Sequence, residues 1–487
     1  MKGISNIRSQ LLAMGAAALL GFASSGGQAS EGYFQSGYGA RHKALSGAGV
    51  ADSRDATAAA LNPAGLVHVT NQTNVALSVF SPRREMTGTR TVPAFPGFTP
   101  TGTVESGKDY FRIPNLAVSY RLEPNALVDV VALTVYGNGG MNTSYPDVFR
   151  GLNTFPTDPF GPFPDCLVPP SPATGFTAPP IGTRTGVFCN GQMGVNLEQA
   201  FLSFAMAKQL GPLSVGVAPI LARQVIELDG LQAFSAVSTN PAFVTNQGQE
   251  DSWGVGIRAG IEYALMENVR IGVAGASRIY MEEFKLYSGL FAEQGDFDIP
   301  PSLQVGLAVD LMPNLTAMFD YKRIWYSTID SIGNPSRNIL TCMPSPTGAP
   351  ATGPGCLGAN DGAGFGWDDI NLFKVALEWR PAERTALRLG YGYNENPIGS
   401  ADVMFNIIAP GVVEQHIDAG AQFPIFDKWD IELAGMYVFD HSVTGFELPG
   451  LGNPTHQIEL EMHQYEVTVG MTYHFDGQNP IDALFGG

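Results

Sequence analysis

The C-terminal stretch Tyr465-Glu-Val-Thr-Val-Gly-Met-Thr-Tyr-His-Phe475 alternates strictly between apolar side chains and polar or small ones. A period of two is the pattern of a β-strand whose two faces meet different surroundings. Similar runs occur upstream at 253–263, 303–311, 387–393 and 429–439. Aromatic residues bracket the apolar stretches, and the opposite face is small or ionic. This arrangement is typical of a barrel with lipid outside and a polar or narrow interior.

The number and spacing of these runs predict the fold. The chain carries about fourteen candidate strands, and an even number is expected for a single-chain bacterial barrel. Their connections alternate between turns of two to four residues and much longer loops, as on the periplasmic and extracellular sides of such a barrel. We therefore predict an all-β fold, a fourteen-stranded antiparallel transmembrane β-barrel. The candidate strands are 71–82, 108–122, 127–141, 198–209, 213–228, 251–265, 268–281, 300–312, 314–327, 368–380, 384–396, 413–424, 427–442 and 461–475.

The segment ahead of the first strand has a different character. It contains Glu31-Gly-Tyr-Phe34, Ser46-Gly-Ala-Gly-Val-Ala51 and Leu61-Asn-Pro-Ala-Gly-Leu66, and it shows neither strand alternation nor a long apolar helix face. A compact segment of small residues followed by a closed sheet predicts a stopper within a pore. We call residues 30–70 the plug, and expect it to act as a hatch.

The remaining boundaries follow from the two ends of the chain. Residues 1–29 read as a secretory signal peptide, with basic Lys2 and Arg8 ahead of an apolar run from Leu11 to Phe22. That run is shorter than the ~20 residues of a spanning helix, which disfavours the alternative of a membrane anchor. The barrel is expected to occupy 71–475, and a short tail 476–487.

Composition restricts the partners. The 487 residues carry a formal charge of −18, only 15% are charged, and the mean hydropathy is +0.04. Such a charge argues against nucleic acid as a partner and provides no basic surface for membranes. No phosphate loop or metal-ligand motif is present in the sequence, so no cofactor is expected.

The four cysteines form two local pairs, Cys166 with Cys189 and Cys342 with Cys356, each in a Pro/Gly-rich stretch. In an exported protein this spacing favours two disulfides over free thiols. Both pairs fall on the long-loop side, in agreement with the predicted extracellular end. A metal site would need closer clustering of Cys or His residues.

The chain contains the short motifs Gly32-Tyr-Phe34, Gly47-Ala-Gly-Val-Ala51, Asp55-Ala56, Asn62-Pro-Ala64, Ile113-Pro-Asn-Leu116 and Tyr473-His-Phe475. In these motifs it resembles the FadL/TodX family of outer-membrane transport proteins. The resemblance implies a barrel closed by a hatch in the bacterial outer membrane. It also implies diffusion of long-chain fatty acids or hydrocarbons from an outer groove to an interior pocket, and exit through a side opening at an inward kink of the third strand.

The resemblance also assigns roles to individual residues. Gating of the hatch is expected around Gly47, Gly49 and the Asn62-Pro63-Ala64 motif, because Pro63 fixes its φ and biases Asn62 away from helix. A plain structural turn is the alternative. Gly137-Asn138-Gly139-Gly140 is expected to shape the lateral opening, since glycine permits a bulge or a close backbone approach. The alternative is an ordinary end of the third strand.

Two positions bear on the ligand. Fatty-acid transporters of the family carry a basic residue after a run that here reads Ala222-Arg-Gln-Val-Ile-Glu227, and this chain has Leu228 at that position. A second basic residue of the family falls near Phe365. Because a buried carboxylate without a cation is costly, the pocket is expected to be apolar and suited to neutral hydrocarbon or aromatic ligands. Arg223, Lys285 or Arg323 remain alternative sources of positive charge.

An apolar cluster in a predicted outer loop comprises Phe284, Leu286, Tyr287, Leu290 and Phe291. An exposed patch of this kind predicts a landing groove for a hydrophobic ligand, and loop-on-loop packing over the barrel mouth is the alternative. The interior charges are expected to form an ion-pair network that holds the plug: Arg258, Glu262, Arg270, Arg278, Arg388 and Glu432.

These observations predict passive uptake of long-chain fatty acids or similar hydrophobic molecules by a monomeric barrel in outer-membrane lipid. The alternative is a general diffusion pore, although a plug argues against a clear lumen. An enzyme is not expected, because the nucleophile motif Gly-x-Ser-x-Gly is absent and the seven histidines are scattered.

Overall fold

Fourteen antiparallel strands form the body of the protein in the computed structural model. It describes residues 30–90, 98–124, 126–148, 186–188, 190–345, 349–449 and 451–475. The strands are β1 (Gln72–Arg90), β2 (Phe111–Arg121), β3 (Val130–Tyr145), β4 (Met193–Leu210), β5 (Leu213–Asp229), β6 (Glu250–Met266), β7 (Val269–Ala276), β8 (Ser302–Met312), β9 (Leu315–Ile324), β10 (Ile370–Ala382), β11 (Thr385–Asn394), β12 (Gln415–Phe426), β13 (Trp429–Phe446) and β14 (His456–His474).

Each strand pairs with its sequence neighbour, and β1 pairs with β14 from Gln72↔His474 to Arg90↔His456. This last pairing closes the sheet, and the predicted fourteen-stranded barrel is confirmed. Two short strands, Gly102–Glu105 and Tyr280–Met281, extend the sheet beside β1 and β6. Connections alternate as predicted, from 211–212 and 427–428 at the short-turn end to 325–369 and others at the long-loop end.

Several predicted strand ends are wrong. β4 begins at Met193 rather than 198 and β14 at His456 rather than 461, whereas β7 ends at Ala276 rather than 281 and β13 at Phe446 rather than 442.

The ends of β1 and β3 differ as well. β1 continues to Arg90 rather than 82, because its pairing with β14 persists through Pro82, Arg83 and Arg84, where the apolar alternation is interrupted. β3 continues to Tyr145 rather than 141, so the four-residue run from Gly137 lies inside the strand and does not end it.

The outer face of the barrel is apolar. On β14, Tyr465, Val467, Val469 and Met471 point outward and are 40–59% exposed, whereas Thr468 between them is buried. Large exposed hydrophobic side chains recur on the outer faces of β1 and of β5 to β13. Exposure of so many apolar groups is favourable only against acyl chains, so the barrel is membrane-spanning. Among the described residues, no helix is long and apolar enough to cross a bilayer.

The plug lies inside the barrel and is built from short helical turns. These are an α-helix at Gly39–Ala44 and 3-10 helices at Ala56–Ala60 and Pro63–His68, and nearly all of their side chains are buried. Small side chains allow this segment to fit a lumen that fourteen strands enclose. Among the described residues of the long loops, helical turns occur at Gln232–Val237, Pro241–Phe243, Lys285–Tyr287, Ala292–Gly295, Tyr326–Thr328, Asp330–Gly333, Ser336–Thr341 and Val403–Asn406.

Glycines on the inner wall make room for the plug. A Cβ added to Gly216 would lie 2.3 Å from the Ala64 amide nitrogen, and one added to Gly390 would lie 2.6 Å from the Leu45 carbonyl carbon. The plug backbone therefore rests directly on strands that carry no side chain at the contact. The same kind of contact occurs at Gly260 with the Asn62 side chain, at Gly272 with Val50, and at Gly420 with Ala44.

The long loops fold over the barrel mouth around a disulfide between Cys342 and Cys356, as predicted. Cys166 and Cys189 lie outside the described residues, as do the predicted signal peptide and C-terminal tail. Cys356 is fully buried and precedes Leu357, which lies within the apolar loop core.

We expect the double substitution Cys342→Ala/Cys356→Ala to loosen this loop. A crosslink that closes a loop of this length contributes roughly 3 kcal/mol, or about a hundredfold in the opening equilibrium. Limited proteolysis should therefore cleave between the two positions far faster in the variant than in the oxidised parent. Equal cleavage rates would show that packing alone holds the loop.

Candidate ligand cavity and lateral gap

The wall of the barrel is interrupted between β2 and β3. The two strands pair from Arg121↔Val130 only as far as Asn115↔Tyr136, and β2 continues to Phe111 paired with β1 alone. β3 stays paired with β4 throughout, with a bulge at Asn138. The edge of β3 from 137 to 143 therefore has no partner on β2. We call this interruption the lateral gap.

The plug covers the middle of the lateral gap. Phe34 pairs with Gly139 in antiparallel fashion, the Gln35 amide donates to Asn138 O at 3.0 Å, and the Gly140 amide donates to Tyr33 O at 3.0 Å. Gly139 has to be glycine here, because a Cβ would lie 1.8 Å from Tyr33 O. The run Gly137–Gly140 thus accepts the plug backbone at the site where the sequence predicts a lateral opening.

The far end of the lateral gap is closed by the residues that lead into β2. The Gly107 amide donates to Ser144 O at 2.8 Å, and the Ser144 amide donates to Ser106 Oγ at 2.9 Å. The backbone groups on this edge of β3 are therefore hydrogen-bonded to the plug in the middle of the lateral gap and to residues 106–107 at its far end. Such satisfaction is obligatory for a strand edge at membrane depth.

The predicted gate residues join the plug to the wall. The amides of Gly49 and Val50 donate to Asp320 Oδ2 at 3.0 and 2.9 Å. The Asn62 side chain accepts from the Ala64 amide at 3.1 Å and donates to Ile261 O at 3.1 Å, with Pro63 at the first position of the following 3-10 helix.

Gly47 and Gly49 adopt φ angles of 73° and 111°, which favour glycine. The hydrogen bonds of Gly49, Val50 and Asn62 anchor the plug to the barrel wall, and a role of these residues in gating stays a prediction.

Ion pairs reinforce this anchoring. Arg41 donates to Glu378 at 2.9 Å and to Asp52 at 2.7 Å, and Arg270 also pairs with Asp52 at 2.7 Å. Burial opposes ionisation of Asp52, but Arg54, Arg41 and Arg270 outweigh it and hold the pKa of its carboxyl below the ordinary value.

A second group of charges fixes the start of the plug. Glu31 is fully buried between Lys322 and Lys374. Burial raises the pKa of a carboxyl, yet the two ammonium groups lower the pKa of Glu31 overall. The start of the plug is therefore held by an ionised carboxylate between two cations of the barrel wall.

The interior charges predicted to hold the plug divide between two locations. Arg270 forms an ion pair with Asp52 of the plug, and Glu262 lies 3.1 Å from His68 of the plug. Arg388 pairs with Glu378, the carboxylate that also binds Arg41 of the plug. Glu432 lies 3.7 Å from Arg388, and the Arg258 guanidinium donates to Leu61 O in the plug. Arg278 instead pairs with Asp296 and Asp298 in a loop.

Above the plug, the loops enclose an apolar cavity of about 50 Å³, which we call the loop cavity. Leu228, Leu290, Phe291 and Phe365 line it, so four of the six predicted ligand-binding residues come together. Phe284 and Leu286 do not line it but pack in the surrounding hydrophobic cluster. Sequence reasoning missed the other lining residues, which are Phe188, Leu231, Phe234, Ser331, Leu357, Ala363, Gly364, Phe405 and Ile408.

The prediction of an exposed landing groove at 284–291 is wrong. Phe284 and Tyr287 are fully buried and Phe291 is 4% exposed. The Tyr287 hydroxyl accepts from the Leu228 amide at 3.1 Å and donates to Gly248 O at 2.5 Å, which fixes the loop to β5. The apolar residues face the barrel interior because the loops fold over one another, as the alternative interpretation proposed.

None of the three alternative cations reaches the loop cavity. Arg223 is on the outer side of β5 and pairs with Asp251, Arg323 pairs with Asp369 at 3.0 Å, and Lys285 is exposed. Among the described residues, the lining contains no charged side chain. At Leu228 and Phe365 the structure therefore presents apolar groups with no replacement cation.

A row of aromatic rings connects the loop cavity with the lateral gap. It runs from Phe291 to Phe297 at 4.9 Å between ring centroids, to Tyr33 at 6.5 Å, and to Phe34 at 5.1 Å. Phe34 is the residue that pairs with β3 at the gap. The cavity is smaller than the ~150 Å³ that accommodates benzene in an engineered site, so side chains have to move for a ligand to enter.

We expect Leu228→Arg to reduce the affinity for a neutral aromatic ligand such as toluene at least about tenfold, because it places a charge against apolar walls. The same variant should gain preference for hexadecanoate over hexadecane. Displacement titrations in a non-ionic detergent measure both effects, and Leu228→Met, which preserves volume, is the control. Unchanged preference in the arginine variant would place the ligand elsewhere.

Comparison with known proteins identifies the fold. No protein-family model and no curated protein matches the chain. Among solved structures, it is similar to the toluene transporter TodX of P. putida (TM-score 0.59, 15% identity), covering 91% of this chain and all of that one. A FadL homologue of Pseudomonas aeruginosa gives TM-score 0.59 at 12% identity, with 91% of this chain and all of that one covered.

The toluene transporter TbuX of Ralstonia pickettii gives TM-score 0.54 at 15% identity, covering 91% of this chain and 99% of that chain. At identities this low, the similarity shows the fold alone. The fourteen-stranded barrel with an N-terminal plug that the sequence resemblance implied is confirmed as the fold of this chain. Among the described residues, no group of three or more His, Cys, Asp or Glu side chains is placed to hold a metal ion.

Proposed function

We propose that this FadL/TodX-type barrel mediates passive uptake of small hydrophobic molecules across a bacterial outer membrane, with a preference for neutral hydrocarbon or aromatic ligands. The observation that carries the proposal is the apolar, charge-free lining of the loop cavity. The sequence resemblance places two of its lining residues, Leu228 and Phe365, at positions where fatty-acid transporters of the family carry basic residues. The solved relatives TodX and TbuX are toluene transporters.

The proposed path has three stages. A ligand leaves water for the loop cavity and gains roughly 25 cal/mol per Å² of apolar surface buried. It then follows the aromatic row toward Phe34 as the start of the plug moves. Exit occurs through the lateral gap into the membrane, so that the ligand does not cross the periplasm as a free solute.

The plug supports this proposal over a general diffusion pore. Its backbone contacts the wall glycines, and Glu31, Arg41 and Asp52 of the plug pair with charged residues of the strands. Each contact lies across the lumen that an open pore would need for water and ions.

A competition experiment tests the ligand class. Purified protein in non-ionic detergent is loaded with the hydrophobic dye 1-N-phenylnaphthylamine, and hexadecane and hexadecanoate are titrated as competitors. We expect the alkane to displace the dye at least as well as the acid. A strong preference for the acid would contradict the apolar, cation-free cavity, and failure of both ligands would contradict uptake of hydrophobic molecules.

A further inference from the structure

One buried amide on the inner wall of the barrel has no hydrogen-bond partner. Asn115 projects into the lumen from β2, as do Ile113 and Ala117, and its side chain is 3% exposed. Neither Oδ1 nor Nδ2 forms a hydrogen bond within the part of the chain that the structure describes. Because burial of an amide without a partner is costly, a free donor and a free acceptor at one position call for an explanation.

Two hydroxyl groups beside Asn115 are in the same condition. Thr134 on β3 and Ser203 on β4 lie opposite each other, and both side chains are almost fully buried. Among the described residues, neither hydroxyl has a hydrogen-bond partner. Asn115 pairs with Tyr136 on β3, so Thr134 occupies the diagonal position two residues away, at about 7–8 Å. We call Asn115, Thr134 and Ser203 the polar corner.

The plug offers few polar groups to this part of the wall. Its 3-10 helix Ala56–Ala60 packs against β1 to β4. Four of the five residues are alanine, and the hydroxyl of Thr57 already donates to Asp55 Oδ1 at 2.5 Å. Alanine methyl groups neither donate nor accept hydrogen bonds, so this helix leaves the amide and both hydroxyls available.

The guanidinium nearest to the polar corner is already engaged. Arg258 donates to Leu61 O in the plug at 3.3 Å and interacts with the hydroxyl groups of Tyr38 and Tyr136. The groups that remain free in the polar corner are therefore neutral donors and acceptors.

The polar corner lies where the lateral gap begins. Asn115 and Tyr136 form the last pair between β2 and β3, and the next inward residue of β2 is Ile113. A Cβ added to Gly137 would lie 3.0 Å from Ile113 Cγ2 and 3.1 Å from Gln35 Nε2. The plug thus brings a neutral amide, that of Gln35, to this end of the gap. When that part of the plug leaves, a ligand in the gap takes its place beside the polar corner.

We propose that the polar corner binds the hydroxyl or carbonyl group of a neutral ligand, such as a phenol or a ketone, as the ligand passes the lateral gap. This inference rests on the proposed function and adds a ligand class to it. The Asn115 amide can donate to and accept from one hydroxyl group, and a carbonyl group can accept from Nδ2. A hydrocarbon of equal size passes the same gap without these hydrogen bonds.

The test compares 4-methylphenol with 1,4-dimethylbenzene, which has nearly the same shape but a methyl group in place of the hydroxyl. Initial uptake rates are measured in cells that express the full chain, and the rates of cells without it are subtracted. Asn115→Leu preserves most of the side-chain volume and removes both polar atoms. We expect it to slow uptake of 4-methylphenol about fivefold, as for loss of one neutral hydrogen bond. Uptake of 1,4-dimethylbenzene should change less than twofold.

Ser119→Ala is the matched control. Ser119 lies on the same face of β2, four residues from Asn115, and its hydroxyl already donates to Thr70 O at 2.7 Å. Uptake of both ligands should match that of the parent chain. For Asn115→Leu, the midpoint of thermal unfolding in detergent should not fall, because an amide without a partner can be replaced by an apolar group of similar shape without loss of a hydrogen bond.

Several outcomes would overturn the inference. A lower unfolding midpoint of Asn115→Leu, or equal loss of both ligands, would assign Asn115 a structural role. Unchanged uptake of 4-methylphenol would leave the polar corner to water alone. If the parent chain takes up 1,4-dimethylbenzene but not 4-methylphenol, the inference fails and the proposed function stands, whereas uptake of neither ligand would contradict both.

Discussion

Gly272→Leu is expected to convert the barrel from a closed into a steadily ion-conducting pore. Gly272 faces inward from β7, and a Cβ at this position would lie 2.2 Å from Val50 O and 2.8 Å from Ala51 Cα. The plug backbone cannot yield locally, because the Val50 amide is bonded to Asp320 at 2.9 Å. A leucine side chain at this contact must therefore shift the plug as a unit.

Planar-bilayer recording measures the effect. The parent should show little steady conductance and the variant a large one at the same protein load. Gly275→Leu is the control, since Gly275 lies on the same strand, faces outward, and has its nearest contact at 3.4 Å. A closed, stably folded Gly272→Leu barrel would show that the plug does not sit against β7, whereas leakage through both variants would indicate damage to the strand.

Glu378→Gln is expected to destabilise the seated plug by about 3–5 kcal/mol, the cost of leaving a buried charge without its partner. Glu378 is fully buried and receives four arginines: Arg41 at 2.9 Å, Arg388 at 2.8 Å, Arg54 at 3.1 Å and Arg380 at 3.0 Å. A neutral amide of the same shape leaves these four cations with only two nearby carboxylates, Asp52 beside Arg41 and Arg54 and Glu432 beside Arg388.

The midpoint of thermal unfolding in detergent should fall, and bursts of conductance should appear as the plug detaches. Glu383→Gln is the control, because this carboxylate is exposed in the turn that follows β10. In the double variant with Arg41→Gln, the loss should be smaller than the sum of the single losses, since both groups act in one network. Strict additivity would contradict a shared ion-pair network.

The barrel could be predicted from the sequence because its outer face is under a strong and simple constraint. Every second residue of β14 meets lipid, so Tyr465, Val467 and Val469 alternate with polar neighbours. β1 was predicted too short where that constraint weakens. At Pro82, Arg83 and Arg84 the strand still pairs with β14, but its faces no longer meet lipid on one side and a uniform interior on the other.

The candidate site was predicted only in part. Leu228 and Phe365 followed from the resemblance, whereas Phe188, Phe234 and Phe405 reach the loop cavity from separate loops that no local pattern links. Glycines such as Gly272 occupy positions of the strand alternation that face the lumen. This pattern indicates a contact with the plug, and it can be recognised in the sequence.

The central claim is that a hydrophobic ligand enters the loop cavity, and a crystal soaked in 4-bromotoluene tests it most directly. Anomalous scattering locates the bromine atom without assumptions about side chains. We expect a peak enclosed by Leu228, Phe291 and Phe365, with those side chains displaced to enlarge the cavity. Bromine found only on the outer, lipid-facing surface of the barrel, with the cavity unchanged, would contradict it.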